Sequence, residues 1–312
     1  MGALFKIVLY APDESTATAA SRAAFDRIAA LDHIMSDYRS DSELMQLCRA
    51  AGGPAVSISE DLYRVMAAAQ ALSEQSEGAF DITVGPLVQL WRRARRRHEL
   101  PESERLAAAL ELVGYQNVVL DAKKRTARLL KPGMRLDLGG IAKGDAADQS
   151  LLVLQRNGIP AALVAAAGDI AAGDPPPHRP YWRIGIEAFE SPAKAPSDFV
   201  GIHNSGVSTS GDSEQHVEIG GVRYSHIVDP KTGMALTGRR SATVTAPQDI
   251  TADCCATALC VMGAERGFKL IAQLPGAGAL MVEEESGQIH KYQTSGFPEG
   301  TRPNSNAGAD AQ

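Results

Sequence analysis

Arg135-Leu136-Asp137-Leu138-Gly139-Gly140-Ile141-Ala142-Lys143-Gly144 is the stretch from which the rest of the chain is read. An apolar, strand-like approach ends in a glycine pair, and a helix of small residues begins there and runs to about Asn157. Glycine has no Cβ, so the backbone at this junction can come close to a ligand. The first turn of a helix leaves N–H groups unpaired and carries partial positive charge, which suits phosphate. Lys143, one turn in, adds a mobile cation. The spacing matches neither Gly-x-Gly-x-x-Gly nor Gly-x4-Gly-Lys-Ser/Thr, so neither common nucleotide fingerprint is met. Two readings stand: a glycine-capped strand–helix corner, or a phosphate cradle.

The bulk composition bounds the surroundings of that corner. With 312 residues, 44% hydrophobic and 22% charged, the chain has the make-up of a globular protein with a substantial core. A formal charge of −6 gives no general attraction to nucleic acid or anionic membrane. No apolar run is long enough to span a bilayer as a helix. The chain opens into the apolar strand Ala3–Tyr10 without a secretory pattern, as in a cytosolic protein or one whose export segment is missing from this sequence. Cys254, Cys255 and Cys260 share one expected helix and Cys48 is distant, so inert buried thiols are expected rather than a metal site or disulfide.

Helical spacing predicts helices over Glu14–Ser36, around Leu44–Leu47, over Glu60–Ser76, from Leu87 to Trp91, and over Glu102–Val113. Five arginines in six positions, Arg92, Arg93, Arg95, Arg96 and Arg97, read as a solvated helix end or a dock for an anionic partner. Strands are expected at Asn117–Asp121 and Thr126–Leu130, and Ala161–Ile170 reads as a buried strand running into a turn. Gly220-Gly221 marks a hairpin between His216–Ile219 and Val222–Ile227. Another strand is expected at Ser241–Ala246. Two helices follow, Ile250–Met262 with Asp249 or Thr251 as N-cap, and Glu265–Gln273. Strands at Ala279–Glu283 and Ile289–Tyr292 close the fold, and the tail from Gly296 reads as disordered.

Three clusters could carry chemistry. Asp253 and Thr257 lie four apart on an expected helix, so a carboxylate and a hydroxyl share one face. Such a sparse set of hard oxygens suits Mg²⁺, which keeps waters and substrate phosphates. The same pair could equally be a dipole-favoured Asp and a Thr bonded to its own backbone. His226 sits at a strand end before the turn Asp229-Pro230-Lys231-Thr232-Gly233, placed as a general base or satisfied by Asp229. The run from Asn204 to Asp212, dense in hydroxyls and glycines, is either a ligand-contacting loop or a polar turn. Tyr38, in a polar loop, is a surface tyrosine or a lid over a flat ligand.

Seven motifs in order then resemble the ApbE family of FAD:protein FMN transferases. They are Met1-Gly2; Ser36-x-Tyr38 with Ser42-Glu43; Gly78-Ala79-Phe80-Asp81-x-Thr83-Val84-Gly85-Pro86-Leu87; Asp137–Gly144; Ser208-Thr209-Ser210-Gly211-Asp212; His226-Ile227-x-Asp229-Pro230-x-Thr232-Gly233; and Ala252-Asp253-x3-Thr257-Ala258. The resemblance reaches to about Val282. It implies an α+β, two-lobed, T-fold-like architecture with mixed or antiparallel sheets flanked by helices. Residues 1–295 would then form a single domain of two packed lobes, followed by a tail over 296–312.

The same resemblance implies FAD bound between the lobes with Mg²⁺ on its pyrophosphate. A threonine or serine hydroxyl of an acceptor flavoprotein, in an FMN-binding domain, would attack the FMN-side phosphate, and AMP would leave. Some relatives instead hydrolyse FAD to FMN and AMP. Asp253, Thr257 and the Gly140 carbonyl match the metal ligands. Met1, Tyr38, Ala79, Phe80, Asp81, Asp137, Lys143 and Ile227 match positions that contact FAD, and His226 matches the histidine beside the reacting phosphate.

Exported members imply a periplasmic or membrane-anchored location, with the cytoplasm as the alternative. Asp145 replaces the usual aromatic residue and would place a negative charge near the phosphates. Ala165 and Ala167 stand where Asn and Gly are common. These departures keep two alternatives open, an FAD pyrophosphatase and an FAD-binding module without catalysis.

Overall fold

The computed structural model describes residues 2–186, 198–211, 215–285 and 287–298. The chain begins with β1 (Phe5–Leu9), α1 (Glu14–Met35), α2 (Glu43–Arg49), β2 (Val56–Ser57), α3 (Glu60–Gln75), α4 (Gly85–Arg97) and α5 (Ser103–Leu110). It continues through β3 (Val118–Asp121), β4 (Thr126–Leu129), α6 (Ala142–Arg156), β5 (Ala162–Ala166), β6 (Asp169–Ala172), β7 (Trp182–Ile186) and β8 (Asp198–Ile202). It ends with β9 (Ser205–Gly211), β10 (His216–Ile219), β11 (Val222–Val228), β12 (Ala235–Thr237), β13 (Arg240–Ala246), α7 (Asp249–Ile271), β14 (Gly278–Glu285) and β15 (Gln288–Gln293).

The largest sheet has seven strands in the order β1-β5-β6-β9-β13-β14-β15, each paired antiparallel with its neighbour. Period-two alternation explains how both of its faces are covered. Along β5, Ala162 and Val164 pack with Ala20 and Ala24 of α1 and Ala147 and Leu151 of α6. Leu163, pointing the other way, packs with Trp182 and Val200 of the β7–β8 hairpin. That is why residues 162–166 are apolar throughout instead of alternating. Helix α7 covers β9 and β13 beside α6, and its core also takes in α2, α3 and β4. The result is the expected α+β arrangement of antiparallel sheets flanked by helices.

Several sequence readings are corrected by physical context. Residues 134–138 belong to no helix or sheet; Asp137 N–H donates instead to Ile82 O at 2.8 Å. Helix α4 continues past Trp91 to Arg97, because arginine is a good helix former and cations favour the C-terminal end of the dipole. The two helices expected near the C-terminus are present as two segments of α7, separated at Gly263, whose backbone is non-helical (φ 76°, ψ 171°). Neither Asp249 nor Thr251 caps α7: the Asp148 carboxylate, from α6, accepts the Asp249 and Ile250 N–H groups at 2.9 Å each. Residues 205–211 are neither loop nor turn but strand β9, inside the large sheet; Asp212 lies outside the described residues.

The start of the expected tail is also packed: Phe297 is buried against the cluster around Trp182, and residues 299–312 lie outside the described residues. All four cysteines are free and buried, as expected. Burial raises the Cys48 thiol above its ordinary value, keeping it protonated. Among the described residues, no helix is long and apolar enough to cross a membrane.

Candidate active site

The floor of the site forms where α6 and α7 begin to touch. Their approach requires Gly144: a Cβ there would lie 2.5 Å from Asp249 O and 2.9 Å from Asp253 Cβ. At that contact Gly144 N–H donates to Asp253 Oδ2 at 3.0 Å, tying the helices through a carboxylate that is 1% exposed. One turn further along α7, Thr257 faces the glycine corner. A Cβ on Gly140 would meet Thr257 Oγ1 at 2.9 Å and Phe80 Cε2 at 3.4 Å, so the corner closes against α7 only with glycine there. Gly140, Asp253 and Thr257, far apart in the chain, thus line one cavity of about 760 Å³.

This geometry revises the reading of the corner itself. Gly139 N–H donates to Asp137 Oδ1, Ile141 and Ala142 N–H to Leu138 O, and Gly144 N–H to Asp253. A cradle of open N–H groups therefore loses these donors. The corner instead presents Lys143, whose Nζ sits 2.6 Å from Asp169 Oδ2 and 3.4 Å from Asp253 Oδ1. Burial works against the Lys143 ammonium, but the charges of Asp253 and Asp169 outweigh it and raise its pKa. Burial, and then the neighbouring Asp169, push Asp253 up to about 7.

Around the single Lys143 stand three carboxylates, Asp169, Asp249 and Asp253, and both oxygens of the buried Asp249 lack a hydrogen-bond partner among the described residues. The site is short of positive charge. A buried carboxylate, a threonine hydroxyl and a backbone corner held against it are hard oxygen donors, and they fit a divalent cation of the Mg²⁺ type. Such a sparse donor set relies on substrate oxygens and water for the rest.

The remaining candidates enclose the same cavity. Ala79, Phe80, Asp81, Asp137, Lys143, Tyr38, His226 and Ile227 all line it; Met1 lies outside the described residues. Asp81 serves its own loop, its carboxylate accepting from Thr83 N–H (2.7 Å), Thr83 Oγ1 (2.6 Å) and Tyr115 N–H (2.8 Å). It shapes the wall that Phe80 presents. Tyr38 is 70% exposed on a loop that Ser42 pins, with its Oγ donating to Ser36 O and accepting from Met45 N–H. His226 stands on β11 with Nδ1 3.2 Å from Gln215 O. A carbonyl can only accept, so Nδ1 is the donor in that bond. The Asp229 carboxylate instead accepts Lys231 N–H within its own turn.

Two residues of the site, Asp169 and Arg92, escaped the sequence reading as individual functional groups, and Ser210 was read only as part of the hydroxyl-rich 204–212 run. Asp169 holds Lys143 and accepts from Ser208 Oγ; its only signal was a Gly-Asp pair at the end of a buried strand. Ser210 Oγ lies 3.2 Å from Thr257 Oγ1. Arg92, read as part of a solvated helix end or an anion dock, pairs with Asp37 and with Asp137 Oδ2 (3.0 Å), and its guanidinium lies 4.5 Å from the Tyr38 ring centroid. Nothing local in the sequence marks it off from its four neighbours.

The departures at 145, 165 and 167 are each accommodated by the fold. The Asp145 carboxylate takes both Arg64 Nε and Nη2 at 2.9 Å, so its charge is answered by α3. Ala167 turns the β5–β6 hairpin at φ 58°, a left-handed conformation that costs a non-glycine residue about 1 kcal/mol. Ala165 sits within β5, where it pairs with Lys6 and Ile170.

Known proteins resemble this chain along most of its length. The model of the ApbE family matches residues 1–281. A Treponema pallidum protein named FAD:protein FMN transferase is 33% identical over 297 residues, covering 90% of this chain and 82% of that protein. One of the same name from Klebsiella pneumoniae is 31% identical over 284 residues, covering 90% and 86%. The structure of the flavin transferase ApbE from Vibrio cholerae superposes with a TM-score of 0.83 at 31% identity, covering 95% of each chain. The apo flavinyl transferase ApbE of Pseudomonas stutzeri gives 0.82 at 30% identity, covering 95% and 92%. With the family's model spanning almost the whole chain and its members sharing the fold end to end, this protein belongs to the ApbE family.

Proposed function

We propose that this protein transfers FMN from FAD to a threonine or serine hydroxyl of an acceptor flavoprotein, releasing AMP, with Mg²⁺ as the divalent ion. The observation that carries this reading is the meeting of Gly140, Asp253 and Thr257 in one cavity that His226 also lines. The names of the relatives point to the same chemistry.

In this reading the isoalloxazine lies toward Tyr38 and Phe80, and the pyrophosphate toward Lys143. Asp253, Thr257 and the Gly140 carbonyl would hold Mg²⁺, which when bound offsets charge on the phosphate oxygens. Lys143 adds a fixed cation beside them, held in place by Asp169. His226 Nε2 takes the proton from the acceptor hydroxyl as its oxygen attacks the FMN-side phosphorus. The new P–O bond forms on the acceptor while the bond to the departing AMP oxygen breaks. Exposure of His226 at the cavity's edge fits a nucleophile that arrives on another protein.

Incubation with FAD, Mg²⁺ and an FMN-binding domain tests this directly. The expected result is an acceptor heavier by one FMN, with one AMP released per adduct. FAD bound tightly but unchanged, with several such acceptors, would overturn it. FMN and AMP released equally fast without acceptor would favour hydrolysis instead.

A further inference from the structure

The arginine run on α4 is only partly absorbed by the site. Helical geometry splits it into two faces. Val88, Trp91, Arg92 and Arg95 face the FAD cavity. Gln89, Leu90, Arg93 and Arg96 lie on another face, lining a groove of about 660 Å³ that Arg105, Ala108 and Leu112 of the α5 region and Arg135 also line. Arg92 borders both spaces, so anything seated in the groove lies about one helix diameter, ~10 Å, from the cavity.

The chemistry of this groove is specific. Its floor is apolar, from Pro86, Leu90, Ala109 and Leu112, and its rim carries Arg93, Arg96, Arg105 and Arg135. Among the described residues no carboxylate pairs with Arg93 or Arg96, while Arg105 pairs only with the exposed Glu102. This lies in a chain of net charge −6, so the local field opposes that of the rest of the molecule. Apolar side chains beside these arginines match a polypeptide segment that carries both apolar and acidic side chains.

We propose that the α4–α5 groove docks an acidic segment of the acceptor protein, with apolar side chains on the groove floor and carboxylates on Arg93 and Arg96. The proposal rests on the transferase reading above and deepens it: the groove holds the acceptor while its hydroxyl enters the neighbouring cavity. Rim charges of this type act mainly on encounter and acceptor affinity, and salt weakens them.

The test uses an FMN-binding domain that the wild-type chain flavinylates. Initial rates give KM for acceptor at low and high salt, with FAD affinity and melting temperature measured on each variant. Arg93→Glu/Arg96→Glu is expected to raise acceptor KM about tenfold and to flatten its salt dependence, leaving FAD affinity and kcat at saturating acceptor unchanged. Arg93→Gln/Arg96→Gln keeps helix-forming side chains and is expected to give a smaller rise in the same direction. Unchanged KM in both variants, with wild-type flavinylation intact, overturns the docking proposal alone. So does binding to phosphatidylglycerol vesicles that the double Glu variant loses while acceptor KM holds. No adduct from the wild-type protein with any acceptor overturns the transferase reading and, with it, this proposal.

Discussion

Asp253 is 1% exposed and bonded to the start of α6, whereas Tyr38, lining the same cavity, is 70% exposed and packed beneath an arginine. The floor around Asp253 is held in place by the chain's own contacts. Lys143, Asp169, Ser208 and Gly144 already satisfy one another there, and the close glycine contacts leave no room for drift. The rim carries Tyr38 and the exposed His226 on a loop and a short sheet. A preorganised floor suits charge that must be stabilised without reorganisation. An open rim suits a flat ligand and a protein acceptor that must come and go.

Mutations at the two regions should therefore differ in kind and in size. Asp253→Ala is expected to lower turnover about 10³-fold, since it removes a proposed metal ligand and leaves Lys143 with less counter-charge. Steady-state kinetics checks this, and near-normal turnover would remove Asp253 from the site. His226→Ala is expected to lower kcat on the order of 10²-fold while FAD affinity stays within a factor of about three. Equal losses in both quantities would make His226 a binding residue only.

The floor should also reveal itself through pH. Burial, above all, raises Asp148 to about 6 and Asp253 to about 7, and lifts Asp249 as well. An acid whose pKa is raised on folding holds its proton better in the folded state, so stability falls as pH climbs from about 4 through the folded value. Metal-free protein is therefore expected to melt a few degrees lower at pH 8 than at pH 6, and Mg²⁺ at pH 8 to restore the difference. Calorimetry reads both effects; a higher melting temperature at pH 8 without metal would contradict the charge-deficient floor. The smallest effect belongs to the rim: Tyr38→Ala should weaken FAD binding about three- to tenfold, read by flavin fluorescence, with the melting temperature unchanged.

The sequence made the floor legible in part. Two glycines before Lys143 and an Asp-x3-Thr helix face announce hard oxygens near a close backbone approach, yet only the fold shows that Gly140 and Thr257 meet. Strands β10 and β11 were readable from Gly220-Gly221 because hairpin chemistry is local. The cap of α7 was not: it comes from Asp148, about a hundred residues earlier, and no local signal reports such a partner. Residues 205–211 looked like a polar loop because Ser and Thr dominate them. As β9 they place those hydroxyls against Asp169, Thr243 and Thr257 in the middle of the sheet. Arg92 shows the same limit: its two carboxylate partners lie 55 and 45 residues away, so its five-arginine surroundings concealed a specific role.

The most direct measurement is anomalous diffraction from a crystal soaked with FAD and Mn²⁺ in place of Mg²⁺. One strong peak touching Asp253, Thr257 and the Gly140 carbonyl oxygen, in contact with the pyrophosphate, is expected. A well-ordered flavin with its diphosphate elsewhere, or a peak that avoids Asp253, would contradict it.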